Sequence, residues 1–347
     1  MSAVKLADRR PATGSLFGLA YGDALGAPTE FLTVAQIIQR YGPAGPRELA
    51  GDPARVTDDT QMALAVAWAL REVATPTPDA LEAELRRRFV AWSTSPDNNR
   101  APGNTCLAAC AALARGLPWQ DATVADSKGC GANMRVTPVG LAGYDLETLA
   151  GVAQLQAGLT HGHPTALAAS ELTAYAVWLL RRDPDTLAHL PERLRARCRE
   201  QRLVYREEWL GELWRRSGLA GPREYIAIGW DECLAALDRL ARALGRPDPG
   251  GDPCLLTGEG WVAEEALTTA LYCAVRHAGD PVAALARAAT TSGDSDSIAC
   301  LTGAFLGAAH GAAAWPAHWA RRIEYADQLA ALGAAWDQPP GRGATLA

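Results

Sequence analysis

Glycine recurs every fourth residue at positions 14, 18, 22 and 26, and again at 303, 307 and 311. Each glycine in a helix interior costs about 1 kcal/mol relative to alanine. Two such stripes need a compensating gain, and close approach of two helix backbones supplies one. The surrounding residues are apolar and rich in alanine and leucine, with little β-branched alternation anywhere in the chain. The pattern predicts an all-α protein in which two helices pack backbone to backbone.

Further helical periodicity or continuous Ala/Leu-rich runs cover 13–26, 59–74, 79–94, 104–115, 164–182, 222–245, 261–278 and 296–311. Breakers fall between them at Thr75–Pro78, Ser95–Pro102, Pro184 and Arg246–Pro253. This spacing suits one compact multi-helix bundle over 13–335, preceded by an N-terminal arm (1–12) and followed by a flexible tail (336–347). The stretch 183–260 is richer in Arg, Glu and Trp and reads as a variable, peripheral helical insertion. Ile298 to Trp315 is almost free of charge, but it is built from Ala and Gly and contains His310, so it reads as a buried core helix rather than a membrane span.

A net charge of −6 gives no general attraction to a phosphate backbone, and no basic stripe interleaves with aromatics. Nucleic acid is therefore not suggested as a partner, nor is a membrane. The first residues lack an apolar signal region, and the eight cysteines include no C-x-x-C. They read as buried reduced thiols of a cytoplasmic protein, with a monomer as the default state.

Two clusters carry chemistry. Thr57-Asp58-Asp59-Thr60 directly precedes one apolar helix, and Gly293-Asp294-Ser295-Asp296-Ser297 directly precedes another. N-capping explains one oxygen in each cluster but not the others. If the two helix ends meet, four carboxylates share one place, and they cannot all stay ionised without a cation. Oxygen donors of this kind suit Mg²⁺, Mn²⁺ or Ca²⁺. Zinc fits less well, because the six histidines are scattered without H-E-x-x-H or Cys/His spacing.

Other features are individually weaker. Gly129-Cys130-Gly131-Ala132-Asn133-Met134-Arg135 lacks both the spacing and the preceding strand of a dinucleotide fingerprint, yet its glycines and Arg135 suit a phosphate. His161 and His163 flank Gly162 before Pro164, in a turn that serves equally as surface loop or ligand contact. Asp23 lies inside the glycine-striped helix and reads as a structural hydrogen-bond acceptor. Glu30, just beyond that helix, is the better functional candidate.

In order along the chain, G-L-A-Y-G-D-A-L-G-A-P-T-E, T-D-D-T, A-P-G-N-T, G-C-G-A-N-M-R-V-T-P, L-T-H-G-H-P and G-D-S-D-S-I-A resemble the ADP-ribosylglycohydrolase family. The resemblance runs from about Gly14 to Gly311 and is poor over 183–260. It implies an all-α fold with a central cleft holding two divalent cations, Mg²⁺ or Mn²⁺. It implies Thr57, Asp58, Asp59, Asp294, Asp296 and Ser297 as metal ligands, with Ser297 standing where relatives more often carry Thr. Glu30, Asp97 and Asp296 are the implied catalytic acids, although several inserted residues separate Asp97 from the G-N-T it should precede. Gly129, Gly131, Met134, Arg135, His161 and Asn104 are the implied contacts to ADP-ribose, with Cys130 where relatives often have Asn.

The implied activity is metal-dependent hydrolysis of the bond between ADP-ribose and a modified protein or small molecule. The transition state is oxocarbenium-like, and Glu30 or Asp97 would act as base or stabilise the ring charge. ADP-ribosyl-arginine is the favoured target, with serine, a nucleobase and a small molecule open. Two alternatives are a non-catalytic ADP-ribose-binding protein and an all-α diphosphate enzyme. The latter would want D-D-x-x-D, whereas Thr60, Gln61 and Met62 follow Asp58-Asp59.

Overall fold

A computed structural model describes residues 9–338. Its longer helices are α1 (Pro11–Gly26), α2 (Val34–Tyr41), α3 (Asp58–Glu72), α4 (Pro78–Ser93), α5 (Asn104–Ala114), α6 (Leu146–Gly158) and α7 (Pro164–Arg182). They continue with α8 (Leu190–Gln201), α9 (Pro222–Leu244), α10 (Ala263–Arg276), α11 (Pro281–Ala288), α12 (Ser295–His310) and α13 (Ala326–Asp337). Among the described residues the only β structure is three isolated bridges, Ala54 with Ile323, Val124 with His161 and Gly129 with Val262. The all-α expectation is what the chain adopts.

The two glycine stripes meet. A Cβ on Gly14 would overlap the backbone of Gly307 and Gly311, one on Gly18 that of Gly303, one on Gly22 that of Ala299, and one on Gly26 that of Ser295 and Asp296. Pairing falls in one stripe as it rises in the other, so α1 and α12 run antiparallel with their main chains in contact. Both helices are buried along almost their whole length. The functional consequence is positional: the C-terminal end of α1, and Glu30 just beyond it, is pinned against the acidic start of α12.

The N-terminal boundary lies two residues earlier than expected. Pro11 opens α1, where its fixed φ and missing N–H cost nothing. The C-terminal boundary moves the other way. Trp336 is buried, and the Asp337 carboxylate accepts hydrogen bonds from the N–H of Ala12 and Thr13 and from the Thr13 hydroxyl at 2.6–3.0 Å. These two residues therefore close the start of α1 instead of beginning a tail; positions 1–8 and 339–347 of the expected arm and tail lie outside the described residues.

The 183–260 stretch is helical as expected, but much of it is core rather than periphery. Trp230 in α9 is fully buried, and Gly229 abuts the backbone of Pro164 at the start of α7. The buried Glu171 of α7 receives Arg197 at 2.7 Å, Arg206 at 3.3 Å and the Gln154 amide at 2.7 Å. Removing either arginine would strand a buried carboxylate, so this network locks the segment onto the bundle. All eight cysteines are buried and unpaired. No helix among the described residues is long and apolar enough to cross a membrane.

Candidate metal centre

The first acidic cluster sits at the start of α3. The Thr57 hydroxyl accepts from the Asp59 N–H at 3.3 Å, which makes Thr57 the N-cap and leaves Asp58 and Asp59 in the first turn. Asp23, fully buried in α1, fixes this turn from behind. Its carboxylate accepts the N–H of Thr57 and Thr60 at 3.0–3.1 Å and the Thr60 hydroxyl at 2.5 Å. Asp23 is thus the structural acceptor expected of it, and what it supports is the start of α3. One Asp58 oxygen accepts the Gly103 N–H at 3.3 Å, tying the A-P-G-N-T stretch to the same place.

The second cluster caps α12. Asp294 and Asp296 each accept from the Ser297 N–H, at 3.3 and 3.0 Å. The Thr29 hydroxyl meets the Ser295 hydroxyl at 3.0 Å, and both donate to the Gly26 carbonyl. These bonds hold the Glu30 turn against α12. Carboxylate oxygens of Glu30, Asp294 and Asp296 lie within 4.8 Å of one another.

The electrostatics couple Asp58 and Asp59 to the same group. Burial pushes every one of their pKa values up, and the Asp296 charge is the next largest cause for Glu30, Asp58, Asp59 and Asp294. Glu30 rises to about 9 and Asp58 to about 7. Among the described residues no Lys, Arg or His pairs with any of the five. One buried oxygen of Asp59 has no hydrogen-bond partner at all. Hard oxygen donors, crowded, unpaired and partly unsatisfied, fit a hard divalent cation. Thr57 and Ser297 add hydroxyls at 6% and 3% exposure, both beside the carboxylates in sequence.

The 129–131 loop lies over His161. A Cβ on Gly129 would stand 3.5 Å from His161 Nε2, and one on Gly131 would stand 3.1 Å from its Cε1, so glycine leaves the imidazole room. His161 Nδ1 is 2.8 Å from the Thr160 hydroxyl, and burial followed by the nearby Arg135 charge keeps the ring neutral. Cys130 donates its N–H to the Trp261 carbonyl at 3.0 Å, and Ala263 donates to Lys128, so this loop is stitched to the start of α10.

Arg135 is placed differently from a phosphate contact. It is fully buried, donates to the Gln156 side chain and carbonyl and to the Thr160 hydroxyl at 2.6–2.8 Å, and lies 4.3 Å over the Phe89 ring. Its guanidinium is engaged in the interior, which a three-residue spacing from glycine cannot reveal. Met134 is also buried, with its sulfur 3.9 Å from the Ser297 hydroxyl. Asn104 is exposed at the start of α5. Asp97 is exposed too, and it lines a separate cavity of about 290 Å³ with Gln61, Trp68, Trp92 and Tyr325 rather than joining the carboxylate group. Trp261 has no motif to mark it, whereas Thr29, Gly103 and Ser295 stand inside the G-A-P-T-E, A-P-G-N-T and G-D-S-D-S stretches without a role that spacing alone assigns.

The ADP-ribosylglycohydrolase family model matches residues 3–344. An ADP-ribosyl-[dinitrogen reductase] glycohydrolase of Rhodospirillum rubrum is 37% identical over 171 residues, 46% of this chain and 53% of that protein. An uncharacterized protein of Archaeoglobus fulgidus (strain ATCC 49558) is 32% identical over 169 residues, 47% of this chain and 53% of its own. The matched part thus spans about half the length of these two relatives. The uncharacterized protein YegU of Escherichia coli (strain K12) is 26% identical over 320 residues, 86% of this chain and 87% of that one. A solved structure titled ADP-ribosylglycohydrolase-related protein complex shares the fold, with a TM-score of 0.64 at 23% identity over 96% of this chain and 98% of that chain. With a family model covering nearly its whole length, the chain belongs to the ADP-ribosylglycohydrolase family.

Proposed function

We propose that this protein hydrolyses the glycosidic bond between ADP-ribose and a modified target, using two divalent cations held between the starts of α3 and α12. The observation that carries the reading is the grouping of Glu30, Asp294 and Asp296 within 4.8 Å, electrostatically coupled to Asp58 and Asp59, with no protein cation among them. Family membership supports the reaction class, and the printed activity of the Rhodospirillum rubrum relative is of the same kind. Arginine is the linkage favoured by the A-P-G-N-T stretch, which here bonds directly to Asp58.

Thr57, Asp58, Asp59, Asp294, Asp296 and Ser297 would hold the metal. Bound there, divalent cations supply Lewis acidity and charge to orient ribose hydroxyls. The chain's own groups do the rest. Glu30 is half-buried beside Asp294 and Asp296, where its carboxylate can take a proton from the attacking water or face the positive charge on the ribose ring. The 129–131 loop offers its backbone to the sugar and phosphates, and the buried, neutral His161 imidazole supports that loop from beneath without adding charge.

The test is release of ADP-ribose from ADP-ribosyl-arginine and ADP-ribosyl-serine peptides in Mg²⁺, Mn²⁺ or EDTA. Metal-dependent release from the arginine peptide is the expected result. Tight ADP-ribose binding with no release from either peptide would instead identify a binding protein.

A further inference from the structure

At the rim of the acidic site two large aromatic side chains stand in solvent. Phe31 is 71% exposed and Trp261 is 40% exposed, yet they stack on each other with ring centroids 5.8 Å apart and planes 16° from parallel. Their backbones place them at the site. Phe31 follows Glu30 directly. Trp261 follows Gly260, where a Cβ would stand 3.4 Å from Asp294 Cβ, and the Trp261 carbonyl anchors Cys130 of the 129–131 loop.

Neither ring is there for the core. Phe31 takes a left-handed backbone, φ +64°, a conformation that residues with a side chain rarely adopt. Strain spent on holding a phenyl ring in water points to something that covers it. The surroundings define the charge of that occupant. With Asp294 and Asp296 assigned to the metal, the carboxylates left at this rim are Glu30, the exposed Glu259 two residues before Trp261, and Glu265, which accepts the Glu259 N–H at 3.0 Å. The nearby cation, Lys128, is already paired with Glu232 and Glu264 at 2.8 and 2.7 Å. A diphosphate or an acidic group would be repelled here. A flat cation would be attracted by the carboxylates and by the negative faces of the rings.

Resting on the glycohydrolase reading above, we infer that the Phe31–Trp261 pair receives the departing side of the substrate, and that its ligand is the guanidinium of a modified arginine. The pair is then a specificity element: it favours an arginine linkage over a serine linkage, and it does not hold the ADP-ribose half. A planar cation seated on an exposed aromatic face gives a preference of about two- to five-fold, which is about 0.5–1 kcal/mol.

The test compares the wild type with Phe31→Leu and Trp261→Leu, measuring kcat and KM on ADP-ribosyl-arginine and ADP-ribosyl-serine peptides at saturating Mn²⁺. ADP-ribose affinity is measured in parallel by calorimetry. The expected result is a fall of about two- to five-fold in the arginine-over-serine ratio of kcat/KM, carried mainly by KM. ADP-ribose affinity stays within two-fold, and Phe31→Tyr and Trp261→Phe keep the preference. Equal losses on both peptides carried by kcat would make the pair a support for Glu30 and overturn the inference. Loss of ADP-ribose affinity would assign the rings to adenine and overturn it as well, as would no change in the ratio. A wild type inactive on both peptides would defeat the glycohydrolase reading itself, and that is seen before any variant is made.

Discussion

Asp23 accepts the backbone N–H of Thr57 with both of its carboxylate oxygens, each at 3.0 Å. A fully buried acid in α1 therefore sets the position of the N-cap of α3, and with it Asp58 and Asp59. Asp23→Ala leaves the Thr57 and Thr60 N–H groups without their acceptor in the interior. At about 1–3 kcal/mol for each buried group left unmade, a stability loss of about 3 kcal/mol is expected in urea denaturation. Mn²⁺ affinity should fall about ten- to a hundred-fold, as is usual when a residue supporting metal ligands is lost. An Asp23→Ala protein with unchanged Mn²⁺ affinity would show that the turn keeps its shape unaided.

The pH dependence of stability has a definite sign. Glu30 and Asp58 have folded pKa values raised to about 9 and about 7 by burial and by neighbouring carboxylates. The folded metal-free protein thus binds more protons than the unfolded chain above the ordinary carboxylate range near pH 4. The contribution of these acids is fully present below that pH and is lost as pH rises through 7 and 9. In EDTA, Tm should decline steadily between pH 5 and 9. With Mg²⁺ or Mn²⁺ present the decline should flatten, because the cation replaces the protons. Thermal melts across this range, with and without metal, check both parts.

The α1–α12 contact tolerates no side chain at its centre. A Cβ at Gly22 would overlap the carbonyl of Ala299, and neither helix can retreat without opening the core. Gly22→Val should destabilise by about 3 kcal/mol or more, at or beyond the upper end of ordinary overpacking. Gly42, where a Cβ would meet nothing, is a control for position: its φ of +82° makes Gly42→Ala costly by backbone strain alone, about 1 kcal/mol. Chemical denaturation of the two variants separates crowding from conformation.

Arg135 distinguishes an interior role from a phosphate contact. Its donors are engaged by Gln156 and Thr160 away from solvent. Arg135→Met removes the charge and strands the Gln156 and Thr160 acceptors, and a loss of about 3 kcal/mol in stability is expected. The folded variant should bind ADP-ribose within about three-fold of wild type by calorimetry, since one lost charged hydrogen bond to phosphate would cost more. A drop of a hundred-fold at unchanged stability would restore the phosphate role.

These relationships were unequally visible in the sequence. The glycine stripes named the α1–α12 contact because backbone approach has a composition signature that side-chain packing lacks. The two acidic clusters were legible because each exceeds what an N-cap needs. Arg135 was not, because a glycine-flanked arginine reads the same whether its guanidinium faces a phosphate or Gln156. The core role of 183–260 was hidden for a related reason: Arg197 and Arg206 look like surface charge until Glu171, contributed by a distant helix, is seen between them. Asp97 is a candidate because an acid is expected just before G-N-T, but several inserted residues separate it from that motif, and its exposed turn lines the Trp68–Trp92 cavity. The Phe31–Trp261 stack joins positions 230 residues apart, and no local pattern announces it.

The central claim is that the starts of α3 and α12 form one metal centre. Calorimetric titration of the metal-free protein with Mn²⁺, alongside Asp58→Ala and Asp294→Ala, tests it most directly. The account predicts two bound ions in the wild type and weakened binding in both variants, although the substitutions lie in different helices. Full Mn²⁺ binding retained in either variant, or none in the wild type, would contradict it.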